Sequence, residues 1–391
     1  MVVNQVRFDF RLGVPDVSQF PRDVWLRCIR SSLSRMTTAD LGYGDVRGVE
    51  RLRAALAEYL GRVRGVVATA ERVVVTSGYL QGLGLVCRAL VAAGASRIAF
   101  ENPSDTEPRI VAARAGMAIV PVGVDESGLR VEELEDREVD AVVVTPAHQF
   151  PTGALLAPDR RAALMEWLRR RNVIAIEDDY DAEYRYDRDP VGALQGLDPD
   201  RVVYAGSASK TLAPALRIGW LVVPHDLLEA IAREKLLADR GTGRIDQAAL
   251  ADFIANGELD RHLRRMRARY RRRRDALIQA LTDDLPEATV GGIAAGLHVA
   301  VGLPEDDKEA SILDETRSRR IDISSIGQFC IGAHDGSPTL LLGYAQTPEA
   351  AIRAGVTEIA AAIRASRRSR PRRGKKSRNI PERSDRSAPT R

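Results

Sequence analysis

The feature that most constrains this chain is a repeated alternation of short, unbroken apolar runs with segments of helical spacing. Runs at Val73–Thr76, Arg97–Phe100, Ala118–Val122, Ala141–Thr145, Val173–Glu177, Val202–Ala205 and Trp220–Val223 read as strands. Between most of them lie amphipathic patterns, such as 158–170 with Leu164, Trp167 and Leu168 on one face, and 50–60 with Leu52, Leu56 and Leu60. A strand that is apolar at every position must be covered on both faces, which an α/β fold with a largely parallel sheet provides. Such sheets place ligands at the carboxyl ends of their strands, so the residues that follow each run are the ones to read for chemistry.

Three of those ends carry chemistry. After Arg201–Gly206 comes Ser207-Ala208-Ser209-Lys210-Thr211, with Arg217 seven residues beyond the lysine and Gly219 two further. An amine beside hydroxyls and a guanidinium is what a pyridoxal phosphate (PLP) site needs: a nucleophile for the aldehyde and a clamp for the phosphate. A nucleotide-binding Walker loop needs glycine directly before its lysine, where this chain has Ser209. The second run, Asn172–Ile176, ends in Glu177-Asp178-Asp179-Tyr180-Asp181. A carboxylate there pairs with a protonated pyridine nitrogen and favours its charged form, and Tyr180 is placed to reach the ring's 3-oxygen. The same acids also suit a metal-binding cluster or a solvated helix start. The third run, Arg72–Val75, leads into Thr76-Ser77-Gly78-Tyr79 and a helical pattern. That arrangement points backbone N–H groups at an anion; an ordinary βα turn is the alternative.

Taken together, the segments FDFRLGVPD, LGYGDVRGVERLR, VVVTSGYLQ, VVVTPAHQFPTG, IEDDYDAEYRY, GSASKTLAPALRIG and AGLHVAVGLP resemble, in family order over about residues 7–365, the fold-type I, class I/II PLP-dependent aminotransferases. Within these the chain most resembles the aminotransferase-like domain of MocR-type regulators of the GntR superfamily. The resemblance implies a fold-type I α/β transferase: an N-terminal segment (1–45) packing on both domains, a large PLP-binding domain (46–245) and a smaller α+β domain (246–365). It implies Lys210 as the Schiff-base lysine, Asp178 as partner of the pyridine nitrogen and Tyr180 as donor to the 3-oxygen. Gly78, Tyr79, Ser207 and Arg217 become the phosphate cup, Tyr43 the residue that reaches the neighbouring subunit's phosphate in a homodimer, and His148 a residue lining the pocket, with a loop-holding role as the alternative. The implied substrates are an amino acid and a keto acid.

The chain departs from that pattern twice. Asp105 stands where an aromatic ring usually stacks on the cofactor, which leaves Tyr79 as a replacement. The late run Thr339–Tyr344 lacks the arginine that binds a substrate carboxylate, which leaves Arg11 or Arg109. A ligand-sensing domain without turnover therefore stands beside the aminotransferase reading. MocR-type regulators carry a winged helix-turn-helix ahead of this domain, whereas here the motifs begin within ten residues of Met1. The expectation is a stand-alone protein, or a chain whose upstream domain lies outside this sequence.

Charge and cysteines bound the setting. The whole chain carries a net +4, but residues 366–391 hold eleven Lys or Arg against Glu382 and Asp385, so the remainder is net negative, at −5. That tail is expected to be disordered, a solvating extension or a non-specific contact for nucleic acid. Nine arginines lie between Arg261 and Arg274, but Leu263, Met266, Tyr270 and Leu277 give the same helix a buried stripe, so it reads as structural rather than as a DNA contact. Cys28, Cys87 and Cys330 lack metal-ligand spacing and suit a reducing cytoplasm. No apolar run reaches the length of a membrane helix.

Overall fold

The apolar runs assemble into an eight-stranded sheet in a computed structural model that describes residues 6–186, 191–334 and 336–368. Its order is β2 (Val73–Thr76), β9 (Gly219–Val222), β8 (Val202–Ser207), β7 (Ile174–Asp178), β6 (Ala141–Val144), β3 (Arg97–Asn102), β4 (Ala118–Asp125) and β5 (Gly128–Leu129). From β8 through β4 the pairings are parallel; β9 runs antiparallel to both β8 and β2, and β5 antiparallel to β4. The pleat sends alternate residues to opposite faces. Val142 and Val144 pack with Leu164, Trp167 and Leu168 of the helix Pro158–Arg171. Val143 packs instead with Leu83 and Val86 of the helix Tyr79–Ala92. Double coverage is why these strands are apolar at every position.

A second, antiparallel sheet has the order β10 (Thr289–Gly291), β11 (His298–Gly302), β14 (Thr339–Gly343) and β13 (Ser324–Ser325). The amino-terminal strand β1 (Phe8–Asp9) pairs in parallel with β12 (Ile321–Asp322), and the Phe10 carbonyl accepts the Gly343 N–H. The helix Arg244–Ala255 packs against the helices Arg22–Arg35 and Glu50–Arg64. Ser32 donates to Asp252 at 3.0 Å, and Arg35 and Arg51 also bond that carboxylate. The expected boundary at 245/246 falls inside this helix.

The long helix Glu258–Asp284 buries Leu263, Met266, Tyr270 and Leu277, as its stripe requires. Several of its arginines hold other parts of the chain. Arg273 donates to Asp16 at 2.8 Å and to the Ala345 carbonyl, Arg267 to the Glu183 carbonyl, and Arg269 to Gln19. The last helix, Glu349–Arg368, corrects the expected start of the tail. Ser366 is buried and Arg367 forks onto Asp307 at 2.7 and 2.9 Å, so residues 366–368 complete a docked helix. The remainder of the basic tail lies outside the described residues. Among the described residues no helix is long and apolar enough to cross a membrane.

Candidate active site

A cleft of about 520 Å³ opens at the carboxyl ends of β6, β7 and β8, within the size range of small-molecule sites. Tyr79, Asp178, Tyr180, Ser207, Lys210 and Arg217 all line it. Lys210 is placed by the turn after β8. Ser207 caps the short helix Ala208–Thr211 by accepting from the Ser209 N–H, and the Tyr184 hydroxyl donates to the Lys210 carbonyl. The Lys210 ammonium donates to the Gly13 carbonyl at 2.5 Å. Gly13 has φ +65°, and a Cβ there would come within 2.9 Å of Nζ, so this approach requires glycine. Burial lowers the Lys210 pKa, while Asp181, Asp105, Asp178 and Glu107 act to raise it.

Arg217 and the turn after β2 form one unit. The guanidinium donates to the Ser77 carbonyl at 2.5 Å and lies over Gly78, where a Cβ would meet it at 2.8 Å. Gly78, at φ +102°, begins the helix Tyr79–Ala92, and no side chain caps that end. Free N–H groups, the hydroxyls of Ser207 and Ser209 and one guanidinium therefore converge, as an anion site requires.

The acidic run after β7 separates residue by residue. Glu177 accepts the N–H groups of Leu194 and Gln195. Asp179 takes the Arg64 fork and the Tyr204 hydroxyl. Asp181 bonds His148 at 3.0 Å. Asp178 alone of the four lines the cleft; burial first, then the charges of Asp105 and Asp179, pushes its pKa well above the usual carboxylate range. The Tyr79 hydroxyl is buried beside it, and each group acts on the other: the carboxyl helps push the phenol's pKa up, and the phenol acts to lower that of Asp178. A desolvated carboxyl with no ion-pair partner among the described residues, set beside a phenol on the floor of the cleft, is what a protonated pyridine ring carrying polar substituents would satisfy. The residues present thus fit PLP.

Three expected residues lie elsewhere. His148 does not line the cleft: it is buried one layer behind, where Nδ1 faces Asp181 and, at 2.9 Å, the Tyr180 hydroxyl. One nitrogen cannot donate to Asp181 and accept from Tyr180 at once; an N–H shared by both oxygens leaves the Tyr180 proton free for the cleft. The loop turns Phe150, two residues on, into the cleft instead. Tyr43 is 76% exposed under the Arg240 guanidinium and does not reach the cleft of its own chain. Gly78 lies beneath Arg217 rather than on the cleft wall. Of the two candidate arginines, Arg11 lines the cleft and Arg109 does not; Arg109 bonds the Asp105 carbonyl and Thr106.

Sequence reading missed Gly13, Glu101, Ser104, Phe150, Ser324 and Phe329. Glu101 follows directly on an apolar strand and was findable by the rule used for Asp178. It is buried, accepts from Thr145 at 2.5 Å and has its pKa pushed up to about 7 by burial. Gly13 and Phe329 arrive from remote segments; the motif FDFRLGVPD marks the segment of Gly13 but not its contact with Lys210, and nothing local marks Phe329.

The family model for aminotransferase class I and II matches residues 10–333. The HTH-type transcriptional regulator YdeL of Bacillus subtilis is 33% identical over 92% of this chain and 77% of its own length. Aromatic-amino-acid aminotransferase 1 of Thermococcus litoralis is 27% identical over 90% of this chain and 87% of its own. Among solved structures, the multiple substrate aminotransferase of Thermococcus profundus superposes with a TM-score of 0.85 at 25% identity, covering 94% of this chain and 93% of that one.

Proposed function

The chain belongs to the class I and II aminotransferase family, and from that premise we propose that its cleft binds PLP and transfers an amino group from an amino acid to a keto acid. The observation that carries the proposal is the convergence of a half-buried lysine amine, a desolvated carboxyl and an uncapped helix start with its arginine in one cleft. When bound, PLP supplies an aldehyde that captures primary amines and an electron-poor ring that stabilises negative charge on the adjacent carbon.

Each residue then has a stated task. Arg217, Ser207, Ser209 and the N–H groups after Gly78 hold the phosphate. Asp178 keeps a proton on the ring nitrogen, and the pairing offsets the cost of its burial. Tyr180 donates its hydroxyl proton into the cleft while His148 and Asp181 fix its oxygen. Lys210 Nζ is the nucleophile and afterwards the group that carries a proton to and from the substrate carbon; burial favours the neutral amine that this requires. Phe100, Val143, Phe150 and Phe329 keep water from the reacting atoms. Tyr43, exposed on its own chain, is assigned to the phosphate of a second copy, with the active site shared across a homodimer in the cytoplasm.

A second reading, a ligand-sensing module, is favoured by the regulator named above at 33% identity. Purified protein mixed with PLP is expected to gain a visible absorbance band, and borohydride to fix the cofactor on Lys210 by mass spectrometry. Lys210→Ala should lose the adduct and keep its circular dichroism; an adduct on another residue overturns the assignment. Steady-state turnover with an amino donor and a keto acid then separates enzyme from sensor.

A further inference from the structure

The charges lining the cleft do not cancel once each is given its neighbour. Of the four carboxyls, Glu101 is enclosed by Thr145 and Gln149 and Asp178 lies on the floor, which leaves Asp105 and Glu107. Of the three bases, Lys210 and Arg217 serve the reaction centre. Arg11 is committed to Asp9 through contacts of 2.6, 3.0 and 3.1 Å. Neither Asp105 nor Glu107 has an ion-pair partner among the described residues. The nearby Arg109 bonds the Asp105 backbone carbonyl and the Thr106 hydroxyl rather than either carboxylate, and Asp105 accepts the Glu107 N–H as a helix cap. Both line the same cleft as Lys210.

A second observation points to what they receive. Ser104, 8% exposed and lining the same cleft, has a buried hydroxyl with no hydrogen-bond partner. Its oxygen and the two carboxylates give three acceptors, matching the three donors of an alkylammonium group. Phe150 and Phe329, edge to face at 5.2 Å, supply apolar wall for an aliphatic stem. An anionic side chain would meet like charge here, since the charge of Asp105 already pushes the Glu107 pKa up, and a neutral one would leave that repulsion unrelieved.

We propose that the amino acid taken by this cleft carries a cationic side chain, whose ammonium is held by Asp105, Glu107 and the Ser104 hydroxyl. The proposal rests on the aminotransferase reading above and adds the chemical class of the substrate. The test uses the full chain loaded with PLP and three amino acids with the same six-carbon backbone: L-lysine, L-norleucine and L-2-aminoadipate. Half-saturating concentrations are read from the change in visible absorbance on mixing. L-Lysine is expected to saturate at a concentration about tenfold below that of L-norleucine, the scale of one hydrogen bond to a charged group, with L-2-aminoadipate weakest. In D105N/E107Q, where the introduced amide oxygen still caps the helix, the lysine-to-norleucine preference should collapse towards one. Equal saturation by lysine and norleucine, tighter aminoadipate, or an unchanged preference in the double variant overturns the proposal. If that variant fails to fold, the wild-type ranking decides alone. Failure to form the PLP band overturns the underlying reading as well, whereas a band perturbed equally by all three amino acids refutes only the cationic specificity.

Discussion

Replacing Arg64 tests whether the ion pair beneath the cleft holds the strand end in place. Arg64, the last residue of its helix, donates from Nε and Nη2 to Asp179 at 2.7 and 3.2 Å and from Nη1 to the Val191 carbonyl. Both side chains are only 2% exposed, so solvent screening does little to weaken their interaction. Arg64→Met fills the space but strands Asp179 as an uncompensated buried charge, a situation that costs about 3–5 kcal/mol. Tyr204 still donates to Asp179 at 2.6 Å, which places the expected loss at the lower end, about 3 kcal/mol. With an unfolding entropy of about 2.1 cal/mol/K per residue, that loss lowers Tm by about 4 °C in a chain of this length. Differential scanning calorimetry of the wild type, Arg64→Met and the double variant Arg64→Met/Asp179→Asn supplies the measurement. The second substitution removes the stranded charge and keeps an acceptor for Tyr204, so the double variant should recover at least half the loss. A shift below about 1 °C in the single variant, or no recovery in the double, would show that the pair does not carry this load.

Two further outcomes follow from buried carboxyls. Glu101 holds its proton to about pH 7 in the fold but releases it near 4.5 when unfolded. The folded state thus binds the extra proton across that window, and stability falls as pH rises through it, by an amount on the order of 3 kcal/mol. Glu101→Gln should flatten the dependence of Tm on pH between 5 and 8; a wild-type Tm that rises over that interval contradicts the sign. Asp178→Asn removes a desolvated carboxyl, so Tm without cofactor should hold or rise. PLP retention on dialysis should weaken by about tenfold or more as the buried charge pair is lost; full retention would remove Asp178 from its assigned role.

The local sequence was enough to locate the strands and the residues that follow them, because a doubly covered strand must be apolar throughout and its end must be polar. That logic picked out Lys210, Asp178 and Arg217, all of which line the cleft; Glu101, directly after the apolar run 97–100, meets the same rule but stands as a single acid with no lysine, glycine turn or acidic cluster beside it to draw attention. Local pattern could not say which acid of the run 177–181 lines the cleft. All four are polar, and the choice depends on partners that arrive from elsewhere: Arg64 for Asp179, the 194–195 amides for Glu177, His148 for Asp181. The same limit applied to His148, whose place behind Tyr180 is set by the path of the 148–153 loop across the strand ends.

What the sequence by itself determined, then, is a doubly covered sheet with an amine, an acid and an anion cup at its strand ends, since periodicity and the residues beside it are encoded locally. Only the tertiary structure decided that Gly13 meets Lys210 and that Asp105 and Glu107 have no ion-pair partner among the described residues. Each of those facts is a sum of contacts between segments far apart in the chain, and electrostatic balance in a cleft exists only once all of its walls are present.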